Sequence, residues 1–269
     1  MSLVRSLAAA AGLTLAVSLG AQTLVVQPPK AEKTTETRTL PLAAGSTLKV
    51  KNVNGFIHVE AWDREEVQFT GEFKPSSRDE QVKVVFDSGK GGLEIRGEVP
   101  KREEWGSYRG PQCQMTLKVP RRVLPSLESV NGEVALSGTR GAASLTTVNG
   151  GIRASDLDDD LRATTVNGGI TLERVRGGLT LQTVNGGIKG SAMDGRGQGV
   201  RAETVNGAIH LQIAGLKGRL TATTLNGGIS FSAKGAEQVE VTRRRVTATF
   251  PGGDQAIALS TVNGGITLD

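Results

Sequence analysis

The tripeptide Val-Asn-Gly returns along this chain at nearly constant spacing, and that constancy restricts the fold more than any other feature. Copies stand at Val53-Asn54-Gly55, Val130-Asn131-Gly132, Val148-Asn149-Gly150, Val166-Asn167-Gly168, Val184-Asn185-Gly186, Val205-Asn206-Gly207 and Val262-Asn263-Gly264, with Leu225-Asn226-Gly227 a near-copy. From Asn131 the successive spacings are 18, 18, 18, 21, 20 and 37 residues, the last read as about two periods. A unit this short cannot bury a core alone, so each must lean on its neighbours.

The copy from Ile170 to Gly187 divides into two nonapeptides, Ile170 to Gly178 and Leu179 to Gly187. Each opens with apolar residues two apart (Ile170 and Leu172, Leu179 and Leu181), which is strand alternation. Each closes on Gly-Gly, expected to supply positive φ at the corners. Asn-Gly between strands is also a hairpin signal, but a meander of hairpins gives no reason for Asn at only every second corner. The reading is an all-β, single-stranded parallel β-helix (β-solenoid) of about 18–20 residues per coil. Crossover statistics make it right-handed. Equivalent residues of successive coils then stack ~4.8 Å apart. Asn131, Asn149, Asn167, Asn185, Asn206, Asn226 and Asn263 should form one inward-facing ladder of bonded amides at a single corner. Thr147, Thr165, Thr183, Thr204, Thr224 and Thr261 form a second, structural row. The three-residue step from Leu181 to Val184 calls for a bend or bulge and leaves the direction of Thr183 open.

Residues 1–21 read as a signal peptide, with Arg5, an apolar stretch from Leu7 to Leu19, and small residues at Ser18-Leu19-Gly20-Ala21. The competing reading is a retained anchor, but the stretch is short for a membrane span and no other segment approaches the needed length. The expectation is an exported protein of periplasm, cell surface or medium that is not integral to a membrane. Residues 22–37, with Pro28-Pro29, suit a flexible linker. Residues 38–112 carry irregular β coils and 113–269 the regular repeats, with 38–269 one continuous domain. Cys113 is the single cysteine, which rules out an internal disulfide and fits a buried small hydrophobe. Net charge is +5, and +4 once Arg5 leaves with the signal. A basic exported protein meets anionic envelope polymers and membrane surfaces before it meets nucleic acid.

Thr47 to Asp63 (Thr-Leu-Lys-Val-Lys-Asn-Val-Asn-Gly-Phe-Ile-His-Val-Glu-Ala-Trp-Asp), then Glu66-Val67, resembles the bacterial "putative adhesin" family of β-strand-repeat proteins. Met115 to Pro120 and Leu127 to Val134 are similar to it as well, and the likeness spans residues 38 to 269. It implies an exported β-solenoid of largely unassigned function without known catalytic residues, and it carries no set of site residues across.

Candidate sites are few. Lys101 to Arg109, with Trp105, Tyr108 and Arg109, is the best ligand loop by composition, since aromatic and Arg anchors dominate recognition surfaces; a disordered excursion between strands competes with it. Arg243, Arg244 and Arg245 could clamp phosphate or carboxylate groups, against an exposed corner that discourages edge pairing. Asp156, Asp158, Asp159 and Asp160 form an acidic corner, read as a solvated loop rather than a Ca²⁺ site. His58 and His210 follow an Ile in a strand and point outward, with no metal spacing and no Ser–His–acid arrangement. No cofactor or metal is expected. Aromatics at 3% argue against sugar-cleaving chemistry. The expectation is a non-catalytic envelope scaffold, adhesin-like or protein-binding. The alternatives are an envelope-stress or regulatory surface protein and, less favoured, a polysaccharide-active β-helix enzyme. Expected partners are an envelope protein or anionic polymer, or a second copy docked through an open solenoid end such as the uncapped coil at Thr261 to Asp269.

Overall fold

The computed structural model describes residues 22–28, 33–76, 80–89, 91–100, 110–194, 199–232 and 234–269. The expected signal peptide, residues 1–21, lies outside them. The chain enters through β1 (Gln22–Val26) and β2 (Thr34–Pro41), then makes a coil of β3 (Thr47–Asn54) and β4 (Ile57–Trp62). After β5 (Glu66–Lys74) and β6 (Lys83–Gly89) comes a coil of β7 (Gly92–Glu98) and β8 (Gln112–Pro120). Five coils follow in sequence order: β9 (Leu124–Asn131) with β10 (Val134–Ser137), β11 (Ala143–Asn149) with β12 (Ile152–Leu157), β13 (Leu161–Asn167) with β14 (Ile170–Val175), β15 (Leu179–Asn185) with β16 (Ile188–Asp194), and β17 (Val200–Asn206) with β18 (Ile209–Ala214). Then come β19 (Gly218–Asn226), β20 (Ile229–Phe231), the hairpin of β21 (Glu237–Val241) and β22 (Arg245–Phe250), and a coil of β23 (Ala256–Asn263) and β24 (Ile266–Leu268).

Among the described residues these strands stack into two sheets. Sheet A runs β1-β6-β7-β3-β9-β11-β13-β15-β17-β23-β19-β22-β21, and sheet B runs β2-β5-β8-β4-β10-β12-β14-β16-β18-β24-β20. The middle is a parallel β-solenoid, one strand of each coil per sheet, with equivalent positions in register: Leu145 lies beside Ala163 in sheet A, and Ile152 beside Ile170 in sheet B. Inward side chains from Val26 to Leu268 form one continuous core between the sheets.

Strand alternation decides which side chains enter that core. In β15, Leu179, Leu181 and Thr183 are buried while Val184 is 40% exposed. No bulge separates Leu181 from Val184; the alternation continues through Thr183 and puts the valine outside. The threonine is tolerated inside because its hydroxyl finds a partner. Thr183 Oγ1 donates to Gly168 O at 2.8 Å, and Thr147, Thr165, Thr204, Thr261 and Thr224 donate likewise to a corner glycine of the adjacent coil. A buried carbonyl is thereby satisfied on each rung.

The asparagine ladder exists, but it faces solvent rather than the core. Asn131 Nδ2 donates to Asn54 Oδ1 at 2.9 Å, and Asn149, Asn167, Asn185 and Asn206 each donate to the rung before, at 2.8–2.9 Å. All amides point the same way, and Asn54 Nδ2 ends the run on Pro111 O at 3.3 Å. The corner glycines match expectation only in part: Gly55 and Gly177 take φ of 122° and 120°, but the glycines after the later repeat asparagines do not. Gly168 has no positive φ; glycine is needed there because an added Cβ would lie 2.0 Å from Gly150 O of the coil beneath.

Both ends depart from simple winding. At one end β3 sits between β7 and β9, and antiparallel β6 and β1 extend sheet A while β5 and β2 extend sheet B. The segment expected as a flexible linker thus holds β1 and the start of β2. At the other end β23 and β24 slip between β17–β18 and β19–β20, while β22 pairs antiparallel with β19 and β21 antiparallel with β22 to close sheet A. The 37-residue step from Asn226 to Asn263 is therefore a hairpin excursion and a return, not two turns. The coil from Thr261 to Asp269 is interior to the stack, which overturns its expected role as an open docking end.

Candidate functional site: the outer face of sheet A

The same alternation that buries Leu181 and Thr183 builds a periodic surface on the opposite side. Each sheet A strand that ends on a ladder asparagine turns alternate side chains outward, the last three of them leading up to the corner. The third is aliphatic on every rung of the solenoid proper: Val130, Val148, Val166, Val184, Val205, Val262 and Leu225 are 37–54% exposed. Neighbouring rungs are ~4.8 Å apart, so these seven side chains form a ridge ~29 Å long. The exposed asparagine ladder borders it on the corner side. On the sheet side lies a polar row in register: Glu128, Thr146, Thr164, Gln182, Glu203, Ser260 and Thr223.

A third row holds Ser126, Ser144, Arg162, Thr180, Arg201, Ala258 and Thr221. Beside it runs a shallow groove of about 630 Å³ that spans the coils from Thr47 to Ala258. Glu203 accepts from Gln182 Nε2 at 3.0 Å and pairs with Arg201 at 2.6 Å. Those two contacts, the Gln182 hydrogen bond first, hold its carboxyl below the ordinary carboxylate range. At the near end Lys51 Nζ meets Glu128 Oε2 at 2.6 Å, which raises the lysine. Arg162 and Arg219 have no acidic partner among the described residues. The face can offer a long apolar contact with hydroxyl and guanidinium groups alongside; among the described residues no group of three or more His, Cys, Asp or Glu is placed to hold a metal.

A family model for the Toastrack DUF4097 domain matches residues 14–269. The chain belongs to the Toastrack family. Comparison with curated proteins returned no match. Solved structures similar to this Toastrack chain include a candidate cell adhesion protein from Clostridium sporogenes (10% identity, 88% of this chain and 99% of that one, TM-score 0.40). Others are a candidate adhesin from Bacteroides fragilis (14%, 88% and 98%, 0.49) and a candidate lipid-binding protein from Parabacteroides distasonis (12%, 87% and 96%, 0.42).

The residues singled out from the Toastrack sequence do not converge. Trp105, Tyr108 and Arg109 lie outside the described residues. Arg243, Arg244 and Arg245 form the tip joining β21 to β22, all exposed. Thr242 Oγ1 accepts from Arg245 N at 3.0 Å and donates to Arg245 O at 3.1 Å, while Thr224 N donates to Arg244 O at 3.0 Å, so the tip is pinned against β19. The acidic corner is matched by arginines of adjoining coils. Arg174 grips Asp156 with two bonds of 2.7 and 3.0 Å, and Arg176 and Arg140 reach Asp158 at 3.2 and 3.5 Å. Arg174 holds the Asp156 carboxyl below its usual range. Asp160 Oδ1 accepts from Gly178 N at 2.7 Å.

His58 and His210 do point outward. His58 stacks on Phe56 and lies 3.2 Å from Glu133, and His210 lies 3.7 Å from Asp269. Cys113 is buried, which pushes its thiol up to about 12. Sequence reasoning missed the aliphatic ridge. Its signal was present, since strict alternation from Leu179 puts Val184 outside.

No helix among the described residues is long and apolar enough to cross a membrane.

Proposed function

We propose that this Toastrack chain is an exported, non-catalytic scaffold of the cell envelope, adhesin-like in action, that docks another protein along the outer face of sheet A. The ridge from Val130 to Leu225 carries the reading. Contiguous exposed apolar surface rimmed by polar groups marks interaction sites, and this one is linear, rigid and longer than an ordinary side-chain cluster. An apolar ridge favours a protein over a polysaccharide as the occupant. The proposed signal peptide at residues 1–21 sends the scaffold to periplasm or surface.

The test combines Val148→Lys, Val166→Lys and Val184→Lys in one variant. Outward positions accept lysine without disturbing the core, so its thermal melt should match the wild type. Crosslinking in intact cell envelopes should give a discrete wild-type adduct that the variant loses. An adduct of equal yield from the variant sinks the ridge as the docking surface.

A second reading rests on a different observation. Arg162, Arg219, Arg243, Arg244 and Arg245 have no acidic partner among the described residues. They support binding of an anionic envelope polymer, which Arg243→Ala with Arg244→Ala should weaken in a salt-dependent way. Salt-independent binding, or none, removes this reading.

A further inference from the structure

The chain contains eight Asn-Gly pairs, and the ladder treats one of them differently. Asn-Gly is the dipeptide in which the glycine backbone nitrogen most easily attacks the preceding side-chain amide, because no Cβ hinders the approach. The attack needs a free glycine N–H, a carboxamide able to turn, and access for water. In the stack, Gly55 N donates to Asn131 O at 2.9 Å, and Gly168, Gly186, Gly207 and Gly264 donate to the asparagine carbonyl of the next rung at 3.1 Å. The side-chain carbonyls of Asn54, Asn131, Asn149, Asn167, Asn185, Asn206 and Asn263 each accept an amide hydrogen from the following rung. Turning any of these carboxamides breaks that bond as well as its own.

Asn226 is the outermost rung. Its Nδ2 donates to Asn263 Oδ1 at 2.9 Å, but nothing among the described residues donates to its Oδ1. Gly227 N makes no backbone bond of the kind that holds those five corner glycines, a freedom it shares with Gly132 and Gly150, whose asparagines nevertheless keep both amide bonds of the ladder. The covering strand β22 reaches β19 only as far as Thr223, opposite Arg245, so it leaves the corner open. Gly227 is exposed, whereas the equivalent glycines of the other seven pairs are half-buried.

We propose that Asn226-Gly227 is a site of spontaneous deamidation in the folded protein, and that the ladder shields the other seven pairs. Gly227 N, losing its proton to solvent, forms a bond to Asn226 Cγ. The C–N bond to the side-chain nitrogen breaks and ammonia leaves, giving a five-membered succinimide. Water then opens the ring, yielding isoaspartate or aspartate. No redox partner is needed. The product carries a carboxylate against Asn263 Oδ1 where an amide donor stood, so the ladder loses its last bond and the end of the scaffold gains a negative charge.

Trypsin would release each Asn-Gly pair in a peptide of its own; Asn226 falls in Leu220 to Lys234 and Asn185 in Gly177 to Lys189. The full chain is aged in mildly alkaline buffer, folded and in parallel in concentrated urea, and each peptide is followed by its one-dalton mass gain. Folded protein should convert the Asn226 peptide about tenfold faster than any other, the factor that one additional hydrogen bond to break supplies. In urea all eight should convert at similar rates. Equal rates at all eight sites in the folded chain, another site converting first, or an Asn226 peptide as inert as the rest while urea samples convert, would overturn the proposal.

Discussion

Asn263 donates its side-chain amide to Asn206 at 2.8 Å across 57 residues of chain, and receives one from Asn226 at 2.9 Å. The final coil in sequence is therefore an inner coil in space. Chain order and stacking order agree from β9 to β18 and part company beyond.

Removing that coil should cost far more than trimming a frayed end. Ile257, Leu259, Ile266 and Leu268 are all buried, and burying four such side chains contributes roughly 6 kcal/mol or more. Truncation after Gln255 also leaves β19 without its parallel neighbour. Circular-dichroism melts should show a large fall in midpoint and a broadened transition; a melt shifted by only a degree or two would contradict the inner placement.

The two ladders should respond in the opposite order to their polarity. Thr183→Val keeps the shape but leaves the Gly168 carbonyl without its buried partner, an expected loss of about 1–2 kcal/mol. Asn185→Ala cuts two amide bonds in reach of water and should lose about 0.5–1.5 kcal/mol. Urea titration of both variants checks the ranking.

Adjacent glycines at one corner should differ sharply. A Cβ on Gly168 meets Gly150 O at 2.0 Å, whereas one on Gly169 comes no nearer than 3.2 Å to Gly187 O. Gly168→Ala should destabilise by about 3 kcal/mol or more through backbone displacement, and Gly169→Ala by less than about 1 kcal/mol. Equal melting points would mean the coils are not in close backbone contact there.

Cys113 should act as a probe of unfolding. Its burial raises the thiol from 9.0 to about 12, so the folded state resists forming thiolate. The associated stability is complete below about pH 9 and is lost as pH rises toward 12. Thiol reagents at neutral pH should label the chain only as fast as it opens. The carboxyls of Asp156 and Glu203 are shifted the other way, so their contribution is present at neutral pH and fades as acid protonates them. Because both pairs are solvent-exposed and screened, Arg174→Ala should leave the urea midpoint close to that of the wild type.

Much of this architecture was legible in Ile170 to Gly187. Alternation gave the strands, and the Asn spacing gave one corner and a ladder. The phase of the corner was not legible by polarity: threonine is polar and valine apolar, yet Thr183 is inside and Val184 outside. A neighbouring coil's carbonyl makes the inward hydroxyl inexpensive, and that partner is 15 residues away in sequence. The rearranged ends were hidden for another reason. Coils that share one repeat are interchangeable as neighbours, so periodicity alone cannot say whether Asn206 meets Asn226 or Asn263. The aliphatic ridge follows from the same phase and was missed with it.

Paired cysteines test that order most directly. In a Cys113→Ala background, Val205→Cys with Val262→Cys puts two outward thiols on adjacent rungs, ~4.8 Å apart at Cα and within disulfide reach. Val205→Cys with Leu225→Cys puts them two rungs apart, ~9.6 Å and out of reach. Mild oxidation should close the first pair within one chain and leave the second reduced, read by mass and by gel mobility. Closure of the 205–225 pair with the 205–262 pair left open would contradict the interleaved stack.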